Sequence, residues 1–191
     1  MLVKGIPNTQ TRKKLKHVTA PNEIVLNLPG GRWREGSEIL ITGAGAAMNR
    51  EVVHTITRAQ SIGNGDWRFT LNKNLNMPTT TEKDHPIMAV EVAHLSRNIV
   101  FEGGLSSDEL IGGHFWVFRT PSIKQHLEGV DIRNFGQQGS LGRYPIHLHF
   151  CNDSPDTLIA RNTIRHSNQR CVVIHGTNHV TVRENVSYMI K

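Results

Sequence analysis

The chain has 191 residues, enough for one domain with a sizeable core, and it carries a formal charge of +6 with a pI near 9.7. This charge favours an acidic partner such as a polyanionic glycan, a nucleic acid or an anionic surface, although an unspecialised basic surface explains it equally well. Two cysteines exclude a disulfide framework, and no stretch has the pattern of a signal peptide or of a transmembrane helix.

The first part of the chain is basic and then becomes strand-like. Residues 1–22 hold five lysine and arginine residues and no acidic residue, a pattern typical of a solvated arm, with polyanion contact as the alternative. Residues 23–88 predict an irregular β-rich region. Within it, residues 52–57 and 67–71 form two strands joined by a Gly-Asn-Gly-Asp turn at 63–66.

Residues 89–191 carry a repeat, which is the strongest structural signal in the chain. The dipeptide Arg133-Asn134 recurs as Arg161-Asn162, and each copy is followed by an Ile-His dipeptide at the same distance from its asparagine. A third copy begins at Val180, after a shorter interval. Short apolar strands at such a period, with no helix between them, predict an all-β fold in which the coils of a parallel β-helix stack.

The repeat also assigns the coil corners and the cysteines. Asparagine tolerates left-handed backbone, so four asparagines are expected at corners in a structural role: Asn98, Asn134, Asn162 and Asn185. The extra residues of the first copy fit a loop around residues 152–156. Cys151 lies beyond the end of its strand and Cys171 begins the next, so no disulfide is expected between them.

The candidate site lies on the strand of the first Ile-His copy. Residues 146–150 alternate apolar residues with His147 and His149, the pattern of a strand with one buried face. Both imidazoles are therefore expected on the outer face. The register of the repeat pairs His147 with His175 of the next coil, about 4.8 Å away. It also brings Arg143, Tyr144 and Arg170 beside the histidines.

This groove allows several kinds of chemistry. Arginine binds the carboxylates of an acidic polysaccharide, and histidine supplies acid–base groups near neutral pH. A metal site is a third option because His147 and His149 share a face, but the sequence places no further ligand and no metal ligand is assigned. A fourth interpretation gives the histidines only a structural role in the stack.

A glycoside hydrolase normally needs two carboxylates, and the sequence does not show two converging on the histidines. The nearest candidates are Asp131, Asp153, Asp156 and Glu184. Asp153 is taken as the catalytic carboxylate, together with His147 and His149. A lyase needs a base and a group that neutralises the substrate carboxylate, roles that the tyrosine, histidine and arginine side chains of the groove can fill.

Five segments resemble the family of the cell migration-inducing and hyaluronan-binding protein, which includes the cell-surface hyaluronidase; fibrocystin-like receptors share parts of the pattern. The segments are residues 136–139 (GQQG), 142–149 (GRYPIHLH), 170–177 (RCVVIHGT), 33–39 (WREGSEI) and 91–99 (EVAHLSRNI). The resemblance implies a right-handed parallel β-helix, a secreted or cell-surface setting, and hyaluronan binding, with depolymerisation in some members. It also implies calcium dependence.

The resemblance further implies that a G8 domain precedes the matched region and that more coils follow it, so a fragment beginning near Gly5 and ending within a coil is expected. Membrane attachment would then come only from regions outside this chain, and no nucleic-acid partner is expected.

The leading hypothesis is a β-helix segment that binds hyaluronan-like polysaccharide and contributes to its hydrolysis. The site has His147, His149 and Asp153 as catalytic residues. The substrate-binding residues are Arg143, Tyr144, Arg170 and His175. The alternatives are a non-catalytic surface-receptor segment and a polyuronide lyase.

Overall fold

The computed structural model describes residues 1–6, 8–43, 52–76, 79–85, 87–104 and 110–191. These residues form sixteen strands and no helix, and so they contain no helix that could span a membrane. The strands are β1 (Leu2–Lys4), β2 (Arg12–Lys14), β3 (His17–Ala20), β4 (Glu23–Asn27), β5 (Glu38–Ile41), β6 (Val52–Gly63), β7 (Asp66–Leu71), β8 (Glu91–His94), β9 (Ile99–Glu102), β10 (Phe115–Phe118), β11 (His126–Glu128), β12 (Val130–Arg133), β13 (Ile146–Ala160), β14 (Thr163–Ser167), β15 (Val172–Arg183) and β16 (Val186–Ile190).

The chain folds as two compact units. One comprises Met1–Thr9 with Arg97–Lys191, and the other comprises Gln10–Ser96. This division lies beyond the boundary predicted near residue 88. The predicted basic arm, residues 1–22, contains β1, β2 and β3, because its short segments pair with other strands of the fold.

The unit from Gln10 to Ser96 is an antiparallel sheet with the strand order β2-β8-β5-β6-β7-β4-β3. Its core is built around the fully buried Trp33 and Phe69, whose ring centroids lie 6.0 Å apart. The hairpin of β6 and β7 turns through Asn64 and Gly65, with φ values of 52° and 78°, the left-handed pair that a two-residue hairpin turn requires. The predicted strand pair and turn are therefore confirmed.

The other unit is a parallel stack of coils, which confirms the predicted parallel β-helix. One sheet has the order β1-β11-β13-β10, with β15 also pairing with β13, and the second has the order β16-β14-β12-β9. All of these pairs are parallel. Each coil buries apolar side chains that its own strands cannot cover, and the stack encloses one core. Cys151 lies in that core and within β13, so the prediction that it lies beyond the end of its strand is wrong. No disulfide joins it to Cys171, and both cysteines are free.

Successive coils differ in length. Phe115 of β10 pairs with Ile146, and Ile146 pairs with Val172, so the second coil is shorter than the first. The interval shrinks again by the end of β13, where Ala160 pairs with Arg183, because β13 contains two register irregularities between residues 149 and 157. The extra residues predicted around 152–156 are thus bulges within a strand.

The uniform register inferred from the repeat is wrong by two positions. His175 pairs with His149 and not with His147. The repeated Arg-Asn dipeptide misled the alignment because Arg133 pairs with Arg165 and not with Arg161. A shift of two positions preserves the alternation of a strand, so the histidines stay on the predicted face.

Asparagine side chains link the coils at one corner. The fully buried Asn162 donates from Nδ2 to Asn185 Oδ1 and to the Leu127 carbonyl, both at 3.0 Å. Its Oδ1 accepts a hydrogen bond from the Val130 amide at 3.1 Å. Among the four predicted corner asparagines, Asn134 has the left-handed backbone, with a φ of 53°. At the corner of Asn162 and Asn185 the left-handed residues are the preceding Arg161 and Glu184, each with a φ of 55°. The asparagines themselves link the coils through hydrogen bonds.

Candidate functional site

The outer face of β10, β13 and β15 brings aromatic and histidine side chains into two columns. Trp116 of β10 pairs with His147 of β13 in the first column. In the second, Phe118 pairs with His149, which pairs in turn with His175 of β15. Aligned residues of parallel strands point to the same side, so these side chains form one continuous surface.

The three imidazoles of this surface contact one another. His147 Nδ1 lies 2.9 Å from the Gly142 carbonyl oxygen, and its Nε2 lies 3.3 Å from His149 Nδ1. His149 Nδ1 lies in turn 3.0 Å from His175 Nδ1. Gly142 has a φ of +89°, a conformation that glycine adopts readily, at the turn that precedes the strand.

Trp116 and Phe118 form the exposed part of the surface. The Trp116 ring stacks on His147 at 5.6 Å, and Phe118 stacks on His149 at 5.3 Å. The two aromatic side chains are 48% and 45% exposed, and they line an open pocket of about 250 Å³. The guanidinium of Arg119 lies 4.9 Å from the Phe118 ring centroid, a cation–π contact that places positive charge beside the pocket.

Tyr144 lies beneath this surface instead of in it. Its side chain is 5% exposed, and its ring meets His147 edge-on at 5.0 Å. On the other side of the cluster, Phe150 packs against His175 at 4.8 Å. This packing requires a glycine at position 176, because a Cβ on Gly176 would lie 2.5 Å from the Phe150 ring.

Burial and mutual repulsion favour neutral imidazoles. Burial lowers the pKa of His147, and the charges of His149 and His175 lower it further, while the Gly142 carbonyl opposes the shift. Loss of hydration also lowers the pKa of His149, with further contributions from His175 and Arg119. Both rings therefore offer lone pairs at neutral pH.

The remaining predicted site residues lie in other surroundings. The exposed Arg143 donates from Nη1 to Gln137 Oε1 at 2.6 Å. Within the described part of the chain, no hydrogen bond or ion pair joins the Arg170 side chain to the histidines. Asp153 is exposed and lies 3.2 Å from His179 Nδ1. The structure therefore brings the three histidines together, and the roles assigned to these other residues stay predictions.

Two further candidate carboxylates are engaged in ion pairs. Asp131 is fully buried and lies 2.8 Å from Nη2 of both Arg133 and Arg165. Glu184 lies 2.7 Å from Arg161 Nε. These contacts hold coils together on a different sheet or at a corner, which is a structural role.

The nitrogen atoms of the histidine cluster can be compared with the ligands that different metal ions prefer. One ligand nitrogen from each of the three rings lies within 4.8 Å of the others, and no carboxylate joins this group among the residues described. Imidazole nitrogens suit zinc, copper and nickel. Calcium takes oxygen ligands, so the cluster does not fit the calcium implied by the resemblance.

The sequence interpretation missed Trp116, Phe118 and Arg119. The signal was present, because residues 115–118 alternate their side chains in the same way as residues 146–149, with which they pair. The repeat was traced only from the Arg-Asn dipeptides. The preceding coil, which lacks that dipeptide, was therefore left out.

Comparison with known proteins confirms the family resemblance. Residues 110–191 match the family model described as CEMIP beta-helix. The chain is 28% identical over 193 residues to the human cell migration-inducing and hyaluronan-binding protein, an alignment that covers 89% of this chain and 14% of that protein. It is 27% identical over 198 residues to the zebrafish cell surface hyaluronidase, covering 90% of this chain and 14% of that protein.

A third relative is a Dictyostelium discoideum G8 domain-containing protein. It is 40% identical over 100 residues, which is 51% of this chain and 6% of that protein. The chain thus spans 6% to 14% of the length of these curated relatives.

Proposed function

We propose that this chain, a relative of the cell migration-inducing and hyaluronan-binding protein and of the cell surface hyaluronidases, binds an acidic polysaccharide of the hyaluronan type. The proposed binding surface is the outer face of β10, β13 and β15. The exposed aromatic pair of this face is the observation that carries the proposal. The printed names of the relatives support the choice of hyaluronan as the polysaccharide.

Trp116 and Phe118 have the properties of a sugar platform. A folded monomer seldom leaves two large aromatic side chains side by side and half exposed, and such patches usually mark interaction sites. A pyranose ring presents an apolar C–H face that packs on an aromatic ring. Trp116 and Phe118 lie two positions apart on β10, with their ring centroids 6.0 Å apart, so neighbouring sugar units of a glycan can pack on the two rings.

Positive charge supplies selectivity for an acidic glycan. Arg119 lies beside the platform, and the chain as a whole carries a net charge of +6. Guanidinium groups pair with carboxylates in two-point contacts, and the field of a basic surface attracts a polyanion. Arg143 and Arg170 are exposed arginines of the same coil region and are proposed as further carboxylate contacts.

Hydrolysis is the second candidate function, and the names of the hyaluronidase relatives favour it. In this proposal His147, His149 and Asp153 supply the acid–base groups. The histidine cluster itself contains no carboxylate among the residues described, so binding is the function that these residues support best. Binding without cleavage corresponds to the receptor alternative, and an unsaturated product corresponds to the lyase alternative.

The setting follows from the proposed substrate. We infer a position at the cell surface or outside the cell, where hyaluronan-like glycans occur, in line with the names of the cell surface hyaluronidases. None of the described residues is proposed to contact a membrane.

The test is a binding titration of hyaluronan oligosaccharides to the 191-residue chain, with neutral dextran as the control ligand. Trp116→Ala is expected to weaken hyaluronan binding about 5- to 30-fold, since loss of one stacked aromatic ring removes about 1–2 kcal/mol. Ile87→Ala removes an exposed apolar side chain of the other unit and should leave the affinity unchanged.

Equal affinities of the wild-type chain and Trp116→Ala would refute the proposed platform. Binding of dextran as tight as that of hyaluronan would refute the preference for an acidic glycan. Mass spectrometry of the incubated oligosaccharides separates the alternatives: saturated products indicate hydrolysis, unsaturated products indicate a lyase, and intact oligosaccharides indicate binding alone.

A further inference from the structure

The contact geometry of His149 is unusual for a set of hydrogen-bonded histidines. Its Nδ1 atom faces two other ring nitrogens at once, His147 Nε2 at 3.3 Å and His175 Nδ1 at 3.0 Å. The second nitrogen of His147 is engaged elsewhere, because Nδ1 lies 2.9 Å from the Gly142 carbonyl oxygen, which can only accept a hydrogen bond. A neutral His147 therefore carries its proton on Nδ1 and points a lone pair from Nε2 at His149.

No placement of a single proton on His149 Nδ1 gives good hydrogen bonds to both neighbouring ring nitrogens. If His149 Nδ1 carries a proton, that one hydrogen must be shared between two acceptors. If it carries a lone pair, it can accept from His175, but it then opposes the lone pair of His147. A cation at the point where the three lone pairs meet satisfies all of them together.

We propose that His147 Nε2, His149 Nδ1 and His175 Nδ1 bind one divalent transition-metal ion, of which zinc is the best match. Zinc binds imidazole at about 2.0–2.1 Å in tetrahedral geometry, which separates ligand nitrogens by about 3.3 Å. The two measured separations are 3.3 Å and 3.0 Å, and all three ligand nitrogens lie within 4.8 Å of one another. The third separation, between His147 and His175, must shorten toward the tetrahedral value when the ion binds.

The surroundings of the rings also fit a metal site. A ligating histidine usually donates its other N–H to a carbonyl or carboxylate, as His147 does to Gly142. Stacking by Trp116 and Phe118 fixes the planes of His147 and His149 before any ion binds. His175 lies at the exposed edge of the cluster, so an ion has a route of entry there.

Three protein ligands leave the fourth position of a tetrahedral ion open. That position would hold water or an oxygen of an anionic ligand, as in sites where zinc keeps an exchangeable position. The inference goes beyond the polysaccharide proposal and does not depend on it, because the nitrogen geometry alone carries it. The two proposals are therefore tested separately.

The experiment is an isothermal titration of zinc chloride into the 191-residue chain, produced without a histidine tag and freed of metal, at neutral pH and without polysaccharide. One zinc ion per chain is expected to bind with micromolar or tighter affinity. His175→Gln should weaken it at least about 10-fold, since a lost ligand matters at least as much as a lost outer partner. The conservative variant His175→Cys supplies a thiolate and should retain binding.

His179→Gln is the matched control, because His179 is an exposed histidine of the same strand outside the cluster. It should bind zinc as the wild type does. Zinc should also raise the thermal midpoint of the wild-type chain and not that of His175→Gln, and circular dichroism of the metal-free proteins checks that both are folded. Absence of stoichiometric binding to the wild type, or unchanged binding to His175→Gln, would overturn the site. Neither result decides whether the chain binds hyaluronan, which the separate polysaccharide titration measures.

Discussion

Replacing Asp131 by asparagine is expected to destabilise the β-helical unit strongly. Asp131 is fully buried, and its carboxylate accepts hydrogen bonds from Nε of Arg133 at 2.8 Å and of Arg165 at 3.2 Å. Nη2 of each arginine lies 2.8 Å from it as well. Burial also lowers the pKa of Arg97 to about 10, and the Asp131 charge opposes that shift. The substitution leaves the shape nearly unchanged but removes the negative charge from among three guanidinium groups.

The magnitude follows from the burial of the cluster. Removing one partner of a buried ion pair costs about 3–5 kcal/mol, because the remaining charge stays desolvated without compensation. The asparagine oxygen keeps one acceptor, so a loss of about 3 kcal/mol, the lower end of that range, is expected for Asp131→Asn. For a unit of roughly 100 residues, 1 kcal/mol shifts the midpoint by about 4–8 °C, which gives a fall of about 12 °C or more.

Urea and thermal unfolding followed by circular dichroism measure this loss. Asp153→Asn is the control, because Asp153 is an exposed carboxylate paired with an exposed histidine, a kind of contact worth about 0–1 kcal/mol. A free energy of unfolding of Asp131→Asn within about 1 kcal/mol of wild type would refute the structural role of this carboxylate.

Three further predictions concern other parts of the same unit. Burial alone would raise the pKa of Glu128, but hydrogen bonds from His126 and Arg161 lower it overall. Stability from this group is therefore present above about pH 4.3 and is lost as the pH falls through the lower folded-state value. Glu128→Gln should flatten that loss in urea titrations at several pH values and cost about 2 kcal/mol at pH 7; an unchanged acid slope would contradict it. Asn162→Ala removes a buried side chain that links coils and should lower the unfolding free energy by about 3 kcal/mol in urea, whereas a change under about 1 kcal/mol would show that the link is unimportant. Gly176→Ala should cost about 1–2 kcal/mol, because its φ is +55° and a neighbouring phenylalanine ring fills the space, and an unchanged thermal midpoint would contradict this packing.

The face of the histidine strand could be predicted because alternation is a local property. Ile146 and Leu148 are buried, and His147 and His149 lie on the opposite face, as the pattern indicates. The pattern is wrong for Phe150, which has a φ of 50°, is exposed and packs against His175. The rule does not apply to Tyr144, because this residue precedes the first residue of β13. Its expected place in the groove came from its chemistry and not from its position, and the structure places it beneath the histidines.

The register could not be predicted because it depends on coil length. Coil corners and bulges accept extra residues without disturbing the strands, so the interval between paired residues changes from one part of the stack to the next. A repeated dipeptide identifies a period only when its copies occupy equivalent positions. Arg133 and Arg161 do not, and the error moved the partner of His175 by two positions.

The contribution of residues 115–118 to the site could not be predicted for a related reason. Residues 115–118 carry no histidine, and their aromatic side chains look like ordinary strand residues. Their importance arises from β13, a strand of the next coil that is distant along the chain. Similarly, β1 joins the stack through pairing of Leu2 with His126, a contact that no local pattern indicates.

The bulged stretch of β13 between residues 149 and 157 has an evolutionary consequence. Residues can be gained or lost there while the columns on either side keep their alignment, as the shorter interval after the bulges already demonstrates. Changes in coil length and the alignment of the histidine cluster therefore depend on different parts of a coil. An insertion at the exposed residues 155–156 would leave the histidine cluster intact, whereas one at the buried Cys151, Ser154 or Thr157 would disturb the packing between coils.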